Sequence, residues 1–357
     1  MTTYYAIDHL PGRTIRLDGQ EYLFFSGTSY LGMAQNPVFQ QYLADGLARY
    51  GTVFGSSRNG NLQLRIYEEA EARLAAFARA EAALTLSSGM LAGQAVVNWL
   101  QGQGYGFIYG PGAHPAIWQN PNTRLPTISY TDWVRQVPAL LAAAAADHVV
   151  IALNSLDALC SVAYSFDWVN ELPDDQPITL LIDDSHGLGV VGPEGSGIGS
   201  LVPRRDNVRL IITASLAKAM GLPGGVILAD PDTLAAIRHT AFFGACSPIP
   251  PAYLHAFGQA LPLYRTAFAQ LQTNIARFES RIGHSGGFQH IPGYPVFYTA
   301  QDALYSYLLA NRILIYSFAY PTPADKPNTR IVISALHQPE DMERLADCLY
   351  GNTKPLP

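Results

Sequence analysis

The chain has 357 residues, 48% of them hydrophobic and 14% charged, enough to bury a large core and to divide into two or more domains. Its 22 Lys plus Arg against 28 Asp plus Glu leave a formal net charge of -6. With no basic run there is no electrostatic grip for nucleic acid, so small molecules are the expected partners.

The first residues, "MTTYYAIDHLPGRTIRLDGQ", lack the apolar core of a signal peptide. A strand pair is predicted in "RTIRLDGQEYLFF", within an N-terminal arm over residues 1–45. "YEEAEARLAAFARAEAA" sets Tyr67, Ala70, Leu74 and Phe77 on one stripe and acids and arginines opposite, the pattern of a packed amphipathic helix. Six short apolar runs follow: "AALTL", "YGFIY", "HVVIAL", "ITLLI", "VRLIITA" and "GGVILAD". Runs of this kind, separated by helical or loop segments, predict an α/β doubly wound sheet of buried, mainly parallel strands within a large domain over 46–240. Asp147 and His148 interrupt the most hydrophobic stretch, so no membrane span is expected. Past residue 240, "PPAYLHAFGQALPLYRTAFAQLQTNIARFESRI" predicts one long linking helix or two joined ones. The strands and helix of "YPVFYTA", "LYSYLLANRILIYSF" and "RIVISAL" then complete a smaller C-terminal α+β domain over 241–357. Cys160, Cys246 and Cys348 are too scattered for a disulfide framework or a C-x-x-C metal site, which fits a reducing cytoplasm.

Ligands of open α/β sheets bind at the carboxyl ends of the strands, so the residues after each run carry the functional reading. Those are Ser87-Ser88-Gly89, His114, Asp157, Asp183-Asp184-Ser185-His186 and Ser215-Leu216-Ala217-Lys218. Gly187, Gly189 and Gly192 spell G-x-G-x-x-G, but Pro193-Glu194-Gly195-Ser196-Gly197 follows, which cannot open the long helix a dinucleotide loop needs. The glycines are read as a turn. Asp183 and His186 fall short of a metal site, having no H-x-x-x-H or C-x-x-C partner, and a turn-capping aspartate beside a core histidine is the structural alternative. Lys218 is either a snorkelling surface residue or an amine desolvated for Schiff-base chemistry, and its place at a strand end favours the amine.

The motifs "TSYLG", "ARYGTVFGSSRNG", "DDSHGLGVVGPEGSGI", "ASLAKAMGLPGG" and "TRIVISALHQPEDMERL" resemble, in order, those of the α-oxoamine synthases, over about Leu17 to Leu349. That family comprises fold-type I transferases dependent on pyridoxal 5'-phosphate (PLP). The resemblance implies a mixed, mostly parallel sheet between helices in the large domain, with PLP bound there. It assigns Lys218 to the Schiff base and to proton transfer, Asp183 to the pyridinium nitrogen, His186 to the cofactor's 3'-oxygen and His114 to stacking on the ring. Ser88, Gly89, Met90 and Ser215 would hold the phosphate, with Ser247 in "CSPIPP" reaching it from a neighbouring subunit of a homodimer that shares its active sites. Arg330 would clamp an amino-acid carboxylate, and Thr28 would contact substrate; His337 is read as structural. The implied reaction joins a small amino acid to an acyl-CoA with loss of CoA, and an aminotransferase or aldolase-type lyase is the alternative on the same fold. Departures from the family are Thr28-Ser29 in place of asparagine before Y-L-G, Leu64 and Tyr67 in place of histidines, and Asp157 where a serine is common. An added carboxylate there would disturb the local electrostatics unless it points away or pairs with a cation.

Overall fold

Leucine- and valine-rich runs bounded by glycine or polar residues form the strands, and longer stretches with apolar residues at helical spacing form the helices. In a computed structural model that describes residues 5–282, 287–319 and 326–350, the chain begins with β1 (Thr14–Leu17), β2 (Gln20–Phe25), α1 (Pro37–Tyr50), α2 (Arg65–Phe77), β3 (Ala82–Leu86) and α3 (Gly89–Gly102). Next come β4 (Gly106–Tyr109), α4 (Tyr130–Ala142), β5 (Val149–Asn154), β6 (Leu156–Asp157), β7 (Val162–Ala163), β8 (Ile178–Asp183), β9 (Val208–Ser215) and β10 (Gly225–Ala229). The rest is α5 (Pro231–Arg238), α6 (Ala241–Ala245), α7 (Pro251–Gln259), α8 (Leu261–Ile282), β11 (Gln289–His290), β12 (Val296–Thr299), α9 (Ala303–Ala310), β13 (Ile313–Ala319), β14 (Pro327–Val332) and α10 (Pro339–Tyr350).

Packing divides the chain into two units, one of Pro37–Leu156 with Tyr164–Leu261, the other of Met1–Asn36, Asp157–Ala163 and Pro262–Pro357. The first holds a six-stranded sheet in the order β3-β10-β9-β8-β5-β4. Strands β4, β5, β8 and β9 are parallel, whereas β10 runs antiparallel to both β9 and β3. The link from β9 to β10 is too short for a parallel crossover, which needs about a dozen residues or more. The expected mixed, mostly parallel sheet is thus what forms. Helix α3 lies on this sheet with Ala92, Ala95 and Val96 in one core with Val150, Leu181, Ile211 and Ile227. Each larger aliphatic side chain buried there contributes about 1.5–3 kcal/mol. The amphipathic helix expected from Tyr67 onward forms as α2 and ends earlier than its pattern, since Arg79 turns to φ 54 and the chain enters β3. The G-x-G-x-x-G stretch is a chain of turns with a short 3-10 segment at Pro193–Gly195, and Gly189, Gly192, Gly195 and Gly197 all have positive φ.

The second unit has a sheet in the order β1-β2-β13-β14-β12-β11. Its β2 pairs parallel with β13, with Leu23 opposite Ile313. The predicted N-terminal strand pair therefore forms, but as part of this sheet rather than as a separate arm. The units divide near residues 36 and 261, whereas the sequence pattern suggested 45 and 240, because strand pairing joins segments that lie far apart in sequence. The predicted long helical stretch is two helices: α7 stops at Gln259 and α8 begins at Leu261, where Pro262 is tolerated because a first-turn N–H needs no helical partner. His337 is fully buried; its Nε2 lies 3.0 Å from the Phe24 carbonyl and its Nδ1 accepts the Ser334 N–H at 3.0 Å. None of the described helices is long and apolar enough to cross a membrane.

Candidate active site

Register brings the chemistry-bearing residues of the first unit to one sheet edge. Asn154 at the end of β5 pairs with Asp183 at the end of β8, and Asp183 pairs with Thr213, two residues before Ser215 ends β9. The reversed strand β10 starts at this edge, where Gly225 sits opposite Ser215 on one side and Leu86 on the other. Hence β3 also ends there and leads straight into Ser88 and α3. His114 follows β4, and Lys218 follows β9 in a bend whose carbonyl accepts the Gly221 N–H.

Asp183 is 7% exposed, and its Oδ1 accepts the Ser185 N–H at 2.9 Å. Its Oδ2 lies 3.8 Å from His114 Nδ1. That nitrogen accepts the Ala116 N–H at 3.1 Å and so carries no proton, which makes the approach a proximity rather than an ion pair. Burial lowers the His114 pKa, with the Asp183 carboxylate opposing and the Lys218 ammonium reinforcing the shift. A neutral imidazole, an acid and an amine therefore act on one another electrostatically at this edge. His186 is half-buried on the turn that follows Asp184.

Ser88 caps α3, its hydroxyl accepting the Leu91 N–H at 3.1 Å. Two glycines let this helix end sit tightly on the sheet. A β-carbon on Gly89 would lie 2.7 Å from Ser215 Cβ, and one on Gly225 would lie 2.6 Å from Gly89 Cα. Ser88 and Gly89 are half-buried, Met90 is exposed, and Ser215 is half-buried beside them. The helix N-terminus, backbone N–H groups and two hydroxyls thus converge, an arrangement suited to a phosphate. With the buried acid, the neighbouring lysine and the imidazole in the same unit, these residues fit PLP. Ser247 lies beyond this group, exposed, in the segment after α6.

Three further residues hold this edge together: Asn154, which the sequence pattern did not single out, and Ser185 and Asp184, which it placed at the strand end without a role. Asn154 accepts the His114 N–H at 3.0 Å and donates to the Gly112 carbonyl at 2.7 Å, fixing the histidine loop. Ser185 accepts the Ser215 N–H at 2.8 Å, tying the β8 turn to β9. Asp184 anchors the glycine turn. Asn154 carries a usable signal, a polar residue ending an apolar run. A cavity of about 800 Å3 opens at the opposite edge, where β8 and β9 begin, lined among others by His148, Arg209 and Asp230. None of the groups above lines it.

In the other unit Arg330, on β14, is 3% exposed. Its Nη1 donates to the Ala158 carbonyl at 2.6 Å and its guanidinium lies 4.1 Å from the Tyr316 ring centroid, while the buried Nε has no hydrogen-bond partner among the described residues. A buried guanidinium with a donor left over is suited to an anion. Thr28 is half-buried after β2. Asp157 uses its Oδ1 to accept the Leu159 and Cys160 N–H groups at 2.9 and 3.0 Å. Its carboxylate closes its own turn, the local role of a short polar side chain.

The family model described as aminotransferase class I and II matches residues 26–349. The chain is 29% identical to an 8-amino-7-oxononanoate synthase of Halorhodospira halophila, over 99% of this chain and 91% of that protein. It is 26% identical to the enzyme of the same name from Petrotoga mobilis, over 96% of this chain and 91% of that protein. The resemblance to α-oxoamine synthases read from the motifs is borne out by these relatives. In fold it is similar to a serine palmitoyltransferase from S. paucimobilis solved with a bound PLP–myriocin aldimine, with a TM-score of 0.82 and 17% identity over 97% of this chain and 91% of that one.

Proposed function

We infer, for a chain that belongs to the aminotransferase class I and II family, a PLP-dependent transferase of the α-oxoamine synthase type that joins a small amino acid to the acyl group of an acyl-CoA. The product is an α-amino ketone, as the name 8-amino-7-oxononanoate synthase describes for its relatives. The observation that carries this reading is the convergence of Asp183, His114 and Lys218 at one sheet edge beside the N-terminus of α3.

When bound, PLP supplies an electron sink for the amino acid's Cα. Lys218 Nζ takes up and returns the Cα proton. Asp183, buried at the end of β8, would hold a proton on the ring nitrogen through its carboxylate oxygens. His114, neutral and held by Asn154 and the Ala116 N–H, offers a ring face for stacking, and His186 orients the 3'-oxygen. The Ser88 and Ser215 hydroxyls and the Gly89 and Met90 N–H groups hold the phosphate against the positive end of α3. Arg330 grips the substrate carboxylate with a fork that suits its planar geometry, and Thr28 borders the substrate. The new carbon–carbon bond joins the amino acid's Cα to the acyl carbonyl carbon, the carbon–sulfur bond breaks so that CoA leaves as its thiol, and the amino acid's carboxylate departs as CO2 to leave the α-amino ketone. A homodimer in which exposed Ser247 reaches the neighbouring copy's phosphate belongs to the same proposal. So does a cytoplasmic setting, in keeping with three free cysteines.

The test mixes purified protein, PLP, a panel of amino acids and acyl-CoAs, and follows thiol release. Amino-acid-dependent thiol release supports the reading, and none with any pair overturns it. A keto acid formed without thiol release would mark an aminotransferase instead.

A further inference from the structure

Asp184 follows the cofactor acid directly, yet faces into the protein rather than the sheet edge. It is 1% exposed. Its N–H donates to the Thr213 carbonyl at 2.7 Å, and its own carbonyl accepts the N–H groups of Gly187 and Leu188 at 3.0 and 2.9 Å. The carboxyl reaches across the turn to accept the Ile198 N–H on Oδ2 at 2.8 Å. A β-carbon on Gly187 would overlap Oδ1 and one on Gly197 would overlap Oδ2, so both glycines exist as space for this acid. Oδ1 is buried without a hydrogen-bond donor among the described residues. Leaving a buried oxygen without a partner costs far more when it carries charge than when the carboxyl is neutral.

We propose that Asp184 is a positioning residue that carries its proton rather than a charge, clamping the Gly187–Ile198 turn under the end of β8 without adding a negative charge behind Asp183. Burial pushes its pKa up to about 7, with the Ser155 hydroxyl and the Ile198 N–H opposing and the Asp183 carboxylate reinforcing that shift. Asp183 is the charged group acting on it; the residue after β5 presents the uncharged Ser155, and the glycine turn presents backbone. Two carboxyls at successive positions of one strand end cannot both ionise cheaply at such burial, and Asp184 is the more deeply buried of the two. The Ser185–Gly187 turn that carries His186 is thereby fixed without placing a second negative charge behind the cofactor nitrogen. The role toward PLP rests on the function proposed above; the protonation state does not.

Two measurements separate the parts. Urea unfolding of the cofactor-free protein, compared with D184N, reads the proton directly. Between about pH 4 and 7 the folded wild type holds a proton that its unfolded chain has lost, so its folding constant falls relative to D184N by roughly tenfold per pH unit and then runs parallel above pH 7. Curves parallel throughout overturn the proposal. On PLP titration, Asp184→Ala lowers affinity at least tenfold, and D184N, which keeps an acceptor for Ile198, restores most of it. Equal weakness of both variants overturns the clamp. If wild type binds no PLP, the proposed function fails, and the unfolding comparison still decides the protonation state.

Discussion

Gly225→Ala tests whether the contact between β10 and the start of α3 builds the phosphate site. The added carbon would stand 2.6 Å from Gly89 Cα and from the Ser88 carbonyl carbon, where carbon atoms ordinarily approach to about 3.5 Å. The first turn of α3 must therefore retreat by about 1 Å, because these neighbours are backbone and cannot rotate aside. Overpacking of this kind costs about 1–3 kcal/mol. Displacement of a binding group by about 1 Å weakens its function by up to about 100-fold. Gly102→Ala, at the other end of the same helix with nothing within 4 Å of the new carbon, is the control; it stabilises the helix by up to about 1 kcal/mol. Urea midpoints and PLP titration by fluorescence quenching are measured on all three proteins. The expected result is a lowered midpoint and at least tenfold weaker PLP binding for Gly225→Ala alone. Wild-type PLP affinity in Gly225→Ala would refute the assignment of the α3 N-terminus to the phosphate.

Lys218→Ala is expected to abolish amino-acid-dependent thiol release and the visible absorbance that develops on adding PLP, while the far-ultraviolet circular dichroism stays that of the wild type. Arg330→Lys keeps the charge but loses the fork, so KM for the amino acid should rise about tenfold or more with a smaller change in KM for acyl-CoA, read from initial rates. His337 gives a pH dependence of its own. Burial lowers its pKa to about 4, so the fold holds a neutral ring while the unfolded chain takes up a proton below about pH 6.5. Stability is fully present above that pH and is lost as pH falls toward 4, by about 3 kcal/mol in all. Urea midpoints should fall across this window and lose that component in His337→Gln. The trend is opposite in sign to that of Asp184, and each is isolated by subtracting its own variant.

Local pattern made the first unit's sheet legible. "HVVIAL", "ITLLI" and "VRLIITA" are apolar on both faces, so they enter the sheet centre, and residues just beyond them, Asp183 and Lys218, are carried to its edge together. The glycine turn was equally legible, since Pro193 and its glycines exclude a long helix. The short link into β10 forbids a parallel crossover, but only tertiary structure set β10 between β9 and β3, which is what carries β3 and α3 to the same edge. Tertiary structure also decided that β2 joins β13, a pairing of strands nearly a chain length apart whose register no local period records. The roles of Asn154, Ser185 and Asp184 were illegible for the same reason: each acts through a hydrogen bond to backbone brought near by folding, and their residue types are common in loops. Side-chain chemistry and periodicity lie in the local sequence, while the partner of a buried polar atom is set only when distant strands align.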